Sequence, residues 1–234
     1  MIRKWIGLIL KWAVAAALAP WVWTMTRSFA GSLTSADVTI SQRLVAFIEG
    51  VGLYLVLHIA FWKPKPIYLL GHRLLQKLFQ VLLGGQVQTI PQGPMGQGSE
   101  VAAKPKAAAG SKEQTLAAVS PALIPVYTIL LAVVLGLLRS TAQLMLSDET
   151  MCRLVGISVA LHLLMAIDTI QETRAQQTFV GYLLTLEFIA LATLVVTTLC
   201  LAFLLPDLSV GGFFQQAFQE TLAIYTAGLN ELLY

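Results

Sequence analysis

The chain's three histidines, His58, His72 and His162, all fall inside apolar stretches, where an imidazole needs a reason. Neutral imidazole is the commonest side-chain metal ligand, and Asp168 follows His162 by six residues. His72, His162 and Asp168 together would make a two-histidine, one-carboxylate set able to hold a divalent metal such as zinc. Six residues fall just short of two helical turns, so His162 and Asp168 do not fully share a face. A histidine within a span can also hold a porphyrin-type pigment axially, although no flanking residue selects that use. The plainer reading is that each imidazole hydrogen-bonds inside a helical bundle.

The stretch "YLLGHRLLQKLF", residues 68–79, comes nearest to a motif. In an H-E-x-x-H helix, positions i and i+4 share a face and bring two imidazoles to one zinc ion. The glutamate then acts as general base on the metal-bound water. Here the pattern reads His72-Arg73-Leu74-Leu75-Gln76. Arg73 is a permanent cation and cannot take a proton. Gln76 offers an amide in place of the second imidazole. The first ligand position is kept, while the base and the second ligand are replaced.

Composition sets the class. Of 234 residues, 57% are hydrophobic and only 12% charged, about half the charged share of soluble domains; the mean hydropathy is +0.75. This is the balance of a protein solvated by lipid. A formal charge of +3 leaves no footprint for nucleic acid. Cys152 and Cys200 stand far apart, each in or beside an apolar run, and read as small packing residues.

The expected fold is all-α, a polytopic transmembrane bundle of five to six spans. Residues 5–25 form the first span, an uncleaved anchor with Trp5, Trp12, Trp21 and Trp23 at its interfaces and Lys11 reaching toward the headgroups. Residues 44–62 form the second, ended by the "KPKP" of 63–66. Residues 67–83 are short for a crossing and fit a re-entrant helix. A Gly/Pro/Lys-rich flexible loop follows over 84–115. Residues 117–138, 154–170 and 180–205 complete the spans, with Pro206 and Asp207 ending the last. The tail at 206–234 reads as an amphipathic helix, with Phe214, Phe218, Leu222, Tyr225, Leu229 and Leu232 near one face. It lacks Lys and Arg, so burial on the spans or on a partner is expected rather than attraction to anionic lipid. The bias of Arg3, Lys4, Lys63 and Lys65 places the N-terminus and the 63–66 turn in the cytoplasm. No internal repeat is visible, which weakens the case for a repeat-built transporter.

Ionisable groups inside spans are costly and mark functional candidates. Glu49 and His58 lie in the second span and Glu187 in the last. Either carboxylate could sit near the headgroups or pair across helices with Arg or Lys. "GVG" at 50–52 and "ALAT" at 190–193 would permit close helix packing.

The order of "PIYLLGHRLLQKLFQVLLGGQV", then "AVSPALIPVYTILLAVVLG", then "VALHLLMAIDTIQET" resembles the site-2-protease-like membrane zinc metallopeptidases, in particular multi-span bacterial relatives. The likeness covers roughly residues 60–200. It implies the fold and a location in the cell inner membrane. It does not imply the activity, because Arg73 and Gln76 replace the family's base and second ligand, and its N-x-x-P-x-x-x-L-D-G ligand motif is missing. Only Asp168 or Asp207 could substitute for that carboxylate. The expectation is therefore a catalytically inactive relative without a cofactor, a structural or accessory subunit that contacts lipids and other membrane protein subunits. The alternatives are a metal-dependent intramembrane hydrolase with a rebuilt site on His72, His162 and Asp168, and an ion or solute transport component using Glu49, His58 and Glu187.

Overall fold

In the computed structural model, the described residues are 2–34, 42–61, 124–141, 146–173 and 178–233. The degenerate motif at His72, Arg73 and Gln76, the segment 67–83 and the loop 84–115 lie outside them. The described residues form six helices and no strand: α1 Ile2–Leu33, α2 Gln42–Phe61, α3 Val126–Thr141, α4 Asp148–Thr173, α5 Phe179–Leu204 and α6 Val210–Leu233. All six belong to one unit, Met1–Pro64 with Ala122–Tyr234.

Four of them are long and apolar enough to cross a membrane: Trp5–Leu33 in α1, Gln42–Ala60 in α2, Asp148–Gln171 in α4 and Phe179–Leu204 in α5. α3 has 16 residues, about 24 Å of helix, and falls short of that length. Large apolar side chains cover the outside of the bundle, among them Trp5, Ile9, Val56, Ile59, Leu137, Phe188 and Phe203. Water would reject such a surface and a bilayer accepts it.

Local chemistry sets the helix ends. Pro125 opens α3: its carbonyl accepts from the Thr128 and Ile129 amides, and the ring itself has no N–H to place. The helix therefore begins later than residue 117. Ser147 caps α4 through its hydroxyl to the Thr150 amide, and Asp148 and Glu149 sit in the first turn, where the helix dipole favours anions. Six residues that read as a polar connection are thus helical. Thr178 caps α5 through the Gly181 amide, and Ser209 caps α6 through the Gly212 amide at 3.0 Å. α1 runs past its expected end at 25 to Leu33 and carries Pro20 in its interior.

Helices successive along the chain alternate in direction. α2 packs on α4, α1 on α5 and α6, and α3 on α4 and α5. Phe29 meets Phe47 edge-on at 5.2 Å between ring centroids, so α2 starts where α1 stops. Arg43, at the start of α2, bonds Asp148 at the start of α4 and Asp207 just after α5. Arg139, at the end of α3, donates to the Leu204 carbonyl at the end of α5 at 2.6 Å. α1, α3 and α5 therefore end at the pole where α2, α4 and α6 begin. The N-terminal residues of α1, the end of α2 and the start of α3 share the opposite pole.

α2 and α4 run parallel and nearly touch. A Cβ added at Gly50 would lie 2.0 Å from the Arg153 carbonyl oxygen, and one added at Gly156 would lie 2.3 Å from the Phe47 carbonyl oxygen. Only glycine permits this approach, and it lets dispersion and Cα–H···O contacts hold two helices that lipid does not press together. Gly52, the other glycine of "GVG", faces open space.

α6 packs against α1, with Trp21 near Phe218 and Thr24 Oγ1 2.6 Å from Thr221 Oγ1. The Tyr225 hydroxyl donates to the Ala17 carbonyl, one turn from Pro20. The buried stripe of α6 is Phe213, Ala217 and Thr221, whereas Phe218, Leu222 and Leu229 are more than half exposed. Of the large apolar side chains expected to define the contact face, Phe214 packs against the core, Tyr225 bonds α1 and Phe218 sits at the edge of the contact near Trp21, while Leu222 and Leu229 point outward. Small Ala217 and Thr221 let the helix axes close up, and an apolar exterior is what lipid solvates.

Candidate functional site

The polar side chains of the described helices fall into three places. At the pole where α2, α4 and α6 begin, Arg43 forks between two carboxylates, reaching Asp207 Oδ2 at 2.6 Å and Asp148 Oδ2 at closer range. One guanidinium thereby ties together the start of α2, the start of α4 and the α5–α6 turn, using the planar geometry that suits arginine to this task. The Asp207 carboxyl is held below the usual aspartate range, first by the hydrogen bond from Arg43.

One turn and a half deeper, Arg153 of α4 grips Glu49 Oε2 of α2 from two nitrogens, Nη2 at 2.6 Å and Nε at 3.2 Å. Glu49 is therefore an exposed partner of Arg153 on the groove between α2 and α4. An open cavity of about 270 Å³ lies there, lined by Gln42, Val45, Ala46, Glu49, Glu149 and Arg153. It has the polarity of a surface notch between two helices, and its lining includes no hydroxyl, thiol, lysine or imidazole side chain.

The bundle interior contains a second polar set. Thr128 Oγ1 lies 3.2 Å from Ser158 Oγ and links α3 to α4. His162, one turn beyond Ser158, is only 5% exposed, and Glu187 of α5 is 8% exposed. His162 Nε2 and Glu187 Oε2 have no hydrogen-bond partner. Ser28, Thr193 and Thr197 are buried with unpartnered hydroxyls as well. Sequence singled out the histidine and the glutamate, but the hydroxyls carry no signal that separates them from ordinary helix-packing serines and threonines. His58 stacks at a tilt near Tyr54, 6.1 Å between centroids, toward the far end of α2.

Of the proposed metal set, His72 lies outside the described residues. His162 and Asp168 both sit on α4, His162 buried and Asp168 half-buried. Among the described residues, no three His, Cys, Asp or Glu side chains come together in a way that could hold a metal ion. Cys152 and Cys200 are both buried and unbonded.

The third place is the outside of α6. At 100° per residue, Gly212, Gln215, Gln219, Ala223, Thr226 and Asn230 share a stripe directly opposite Phe213, Ala217 and Thr221, and all six are exposed. Between Gly212 and Asn230 no large apolar side chain interrupts this stripe. Phe218, Leu222 and Leu229 flank it. No protein-family model, curated protein or solved structure matches the chain.

Proposed function

We propose that this chain is a non-catalytic, multi-pass subunit of a bacterial inner membrane that works by binding other membrane protein. The observation that carries this reading is the polar outer stripe of α6. α6 packs along α1 through Phe218 and Thr221, so Gln219 lies on the far face of α6 at the depth of Trp21 and Thr24, well inside the apolar span of α1. An amide pointing into hydrocarbon at that depth lacks the hydrogen bonds it would make in water. Contact with another polypeptide restores them. The Arg43 and Arg153 ion pairs serve packing in this reading, as does the glycine crossing. The order in sequence of Gly71-His72, the Gly84-Gly85 pair and the Pro121/Pro125 element supports descent from a membrane metallopeptidase whose base and second ligand became Arg73 and Gln76. The buried Glu187, with an unpartnered Oε2, favours one second reading, a component of an ion or solute path.

The alternating polarity also suggests an orientation. Arg3, Lys4, Lys63, Lys65, Lys104, Lys106, Lys112 and Arg174 all belong to the N-terminus or to connections that start and finish at the pole of the N-terminus. At the other pole Arg43, Arg139 and Arg153 are each bonded to a carboxylate or a carbonyl. The larger number of Lys and Arg residues on the side of the N-terminus favours a cytoplasmic first pole.

Extraction from native membrane in a mild detergent, followed by sizing and mass spectrometry, tests the subunit reading. The expected particle contains more than one polypeptide. A chain that migrates alone and captures no neighbour on cross-linking in the membrane would overturn it.

A further inference from the structure

We propose that the outer stripe of α6 is a self-association surface and that its occupant is α6 of a second copy of this chain. This rests on the subunit reading above and names the partner. Three features of the stripe point to a copy of itself. First, its hydrogen-bonding groups are carboxamides and a hydroxyl, Gln215, Gln219, Asn230 and Thr226. Each carboxamide both donates and accepts, so an identical group satisfies it, which a row of carboxylates or ammonium groups could not do. Second, the stripe is uncharged: Glu220 lies off it, taking a hydrogen bond from Gln216 at 3.1 Å and facing Arg27 at 3.8 Å. No basic or acidic partner is called for.

Third, the geometry closes. Copies inserted in a membrane share one orientation, so a two-fold axis along the bilayer normal makes the paired helices parallel and sets each residue against its own counterpart at the same depth. Gln215 then meets Gln215, Gln219 meets Gln219, and Asn230 meets Asn230. Gly212 and Ala223 on the same stripe leave room for the two backbones to approach, the combination of small and hydrogen-bonding side chains that joins helices in lipid. Phe218, Leu222 and Leu229 lie along one edge of the stripe, and the two-fold axis sets one such edge on each side of the contact. The Tyr225 and Thr221 hydrogen bonds fix α6 on α1, so the stripe is presented by a held helix and not by a loose tail.

Cross-linking by depth tests this. In a background with Cys152 and Cys200 replaced by alanine, Gln219→Cys and Thr226→Cys are each oxidised in the membrane with copper phenanthroline. Val56→Cys, exposed on α2, serves as the control. The expected result is a disulfide-linked dimer at 219 and 226 and none at 56. Uncrosslinked Gln219→Leu/Asn230→Leu should dissociate about tenfold more readily than the parent in detergent, from amide bonds worth roughly 1–2 kcal/mol in lipid. Monomer at 219 and 226, with another membrane protein recovered in fixed ratio, would overturn the second copy and leave the subunit reading standing. Monomer with no companion would overturn both. A dimer that forms equally through position 56 would show collision and not an interface, and would also reject the proposal.

Discussion

Replacing Gly156 with alanine should unfold the α2–α4 pair or force the helices apart, with a loss of stability of roughly 3 kcal/mol or more. The reason is backbone, not side chain. The new Cβ would sit 2.3 Å from the Phe47 carbonyl oxygen, and no rotamer change relieves a clash between two main chains. Gly50→Ala should behave alike, because its Cβ would come 2.0 Å from the Arg153 carbonyl. Gly52→Ala and Gly228→Ala, whose added methyls meet nothing within 4 Å, are the controls and should be neutral or slightly favourable, since alanine is the better helix former. Thermal melting of the detergent-solubilised protein, followed by loss of monodispersity, reads all four. Equal melting temperatures for Gly52→Ala and Gly156→Ala would contradict the close crossing. The same separation of α2 from α4 would break the Glu49–Arg153 pair, so Gly50→Ala and Arg153→Ala should not be additive.

Loss of Arg43 should have the second largest effect. Arg43→Met keeps much of the stem and removes the fork, leaving Asp148 and Asp207 without their shared cation. Asp148 is the more sheltered, with a side chain 37% exposed against 62% for Asp207. Water screens much of the Asp207 share, so the expected cost is roughly 1–3 kcal/mol, between values for surface and buried pairs. A pH dependence accompanies it. The folded-state pKa of Asp207 is lowered, so its contribution is complete above the ordinary carboxylate range, about pH 4. It is lost as pH falls from there through the lowered folded-state value. The parent protein should therefore lose stability on acidification in that window, and Arg43→Met should lose less. Melting curves across pH 3 to 7, roughly the range set by carboxylate titration, measure it; parallel curves for parent and variant would refute the clamp.

The amino-acid order made some of this legible and hid the rest for physical reasons. α5 could be read nearly to the residue, because Thr178 is a capping side chain and Pro206 cannot continue a helix. The start of α4 was obscured by Asp148 and Glu149, which look like a polar connection and are in fact the anions a helix N-terminus prefers. The start of α3 was blurred by an apolar run that continues through Pro121 and Pro125 without a change in hydropathy. The faces of α6 were misleading in an instructive way. Grouping its large apolar residues assumes that they all face inward, as in water, but the buried stripe is Phe213, Ala217 and Thr221, and of the grouped residues Leu222 and Leu229 face outward. At the candidate sites, Glu49 could be anticipated to pair with a cation, but Arg153 could not be named, because a register between helices about a hundred residues apart has no local signature. The same holds for Arg43, whose partners Asp148 and Asp207 come from the first turn of α4 and from the α5–α6 turn.

In the proposed topology the helices alternate across the bilayer, with the N-terminus and the entry to α3 on the cytoplasmic side and the α5–α6 turn outside. Cysteine accessibility tests this most directly. In the cysteine-free background, Pro206→Cys, Ile124→Cys and a cysteine placed ahead of Met1 are each probed in intact cells with a membrane-impermeant maleimide. Pro206 and Ile124 are exposed, so labelling reports the side and not burial. Immediate labelling is expected at 206, and labelling at 124 and at the N-terminus only after permeabilisation. Labelling of 206 and 124 from the same side would contradict it.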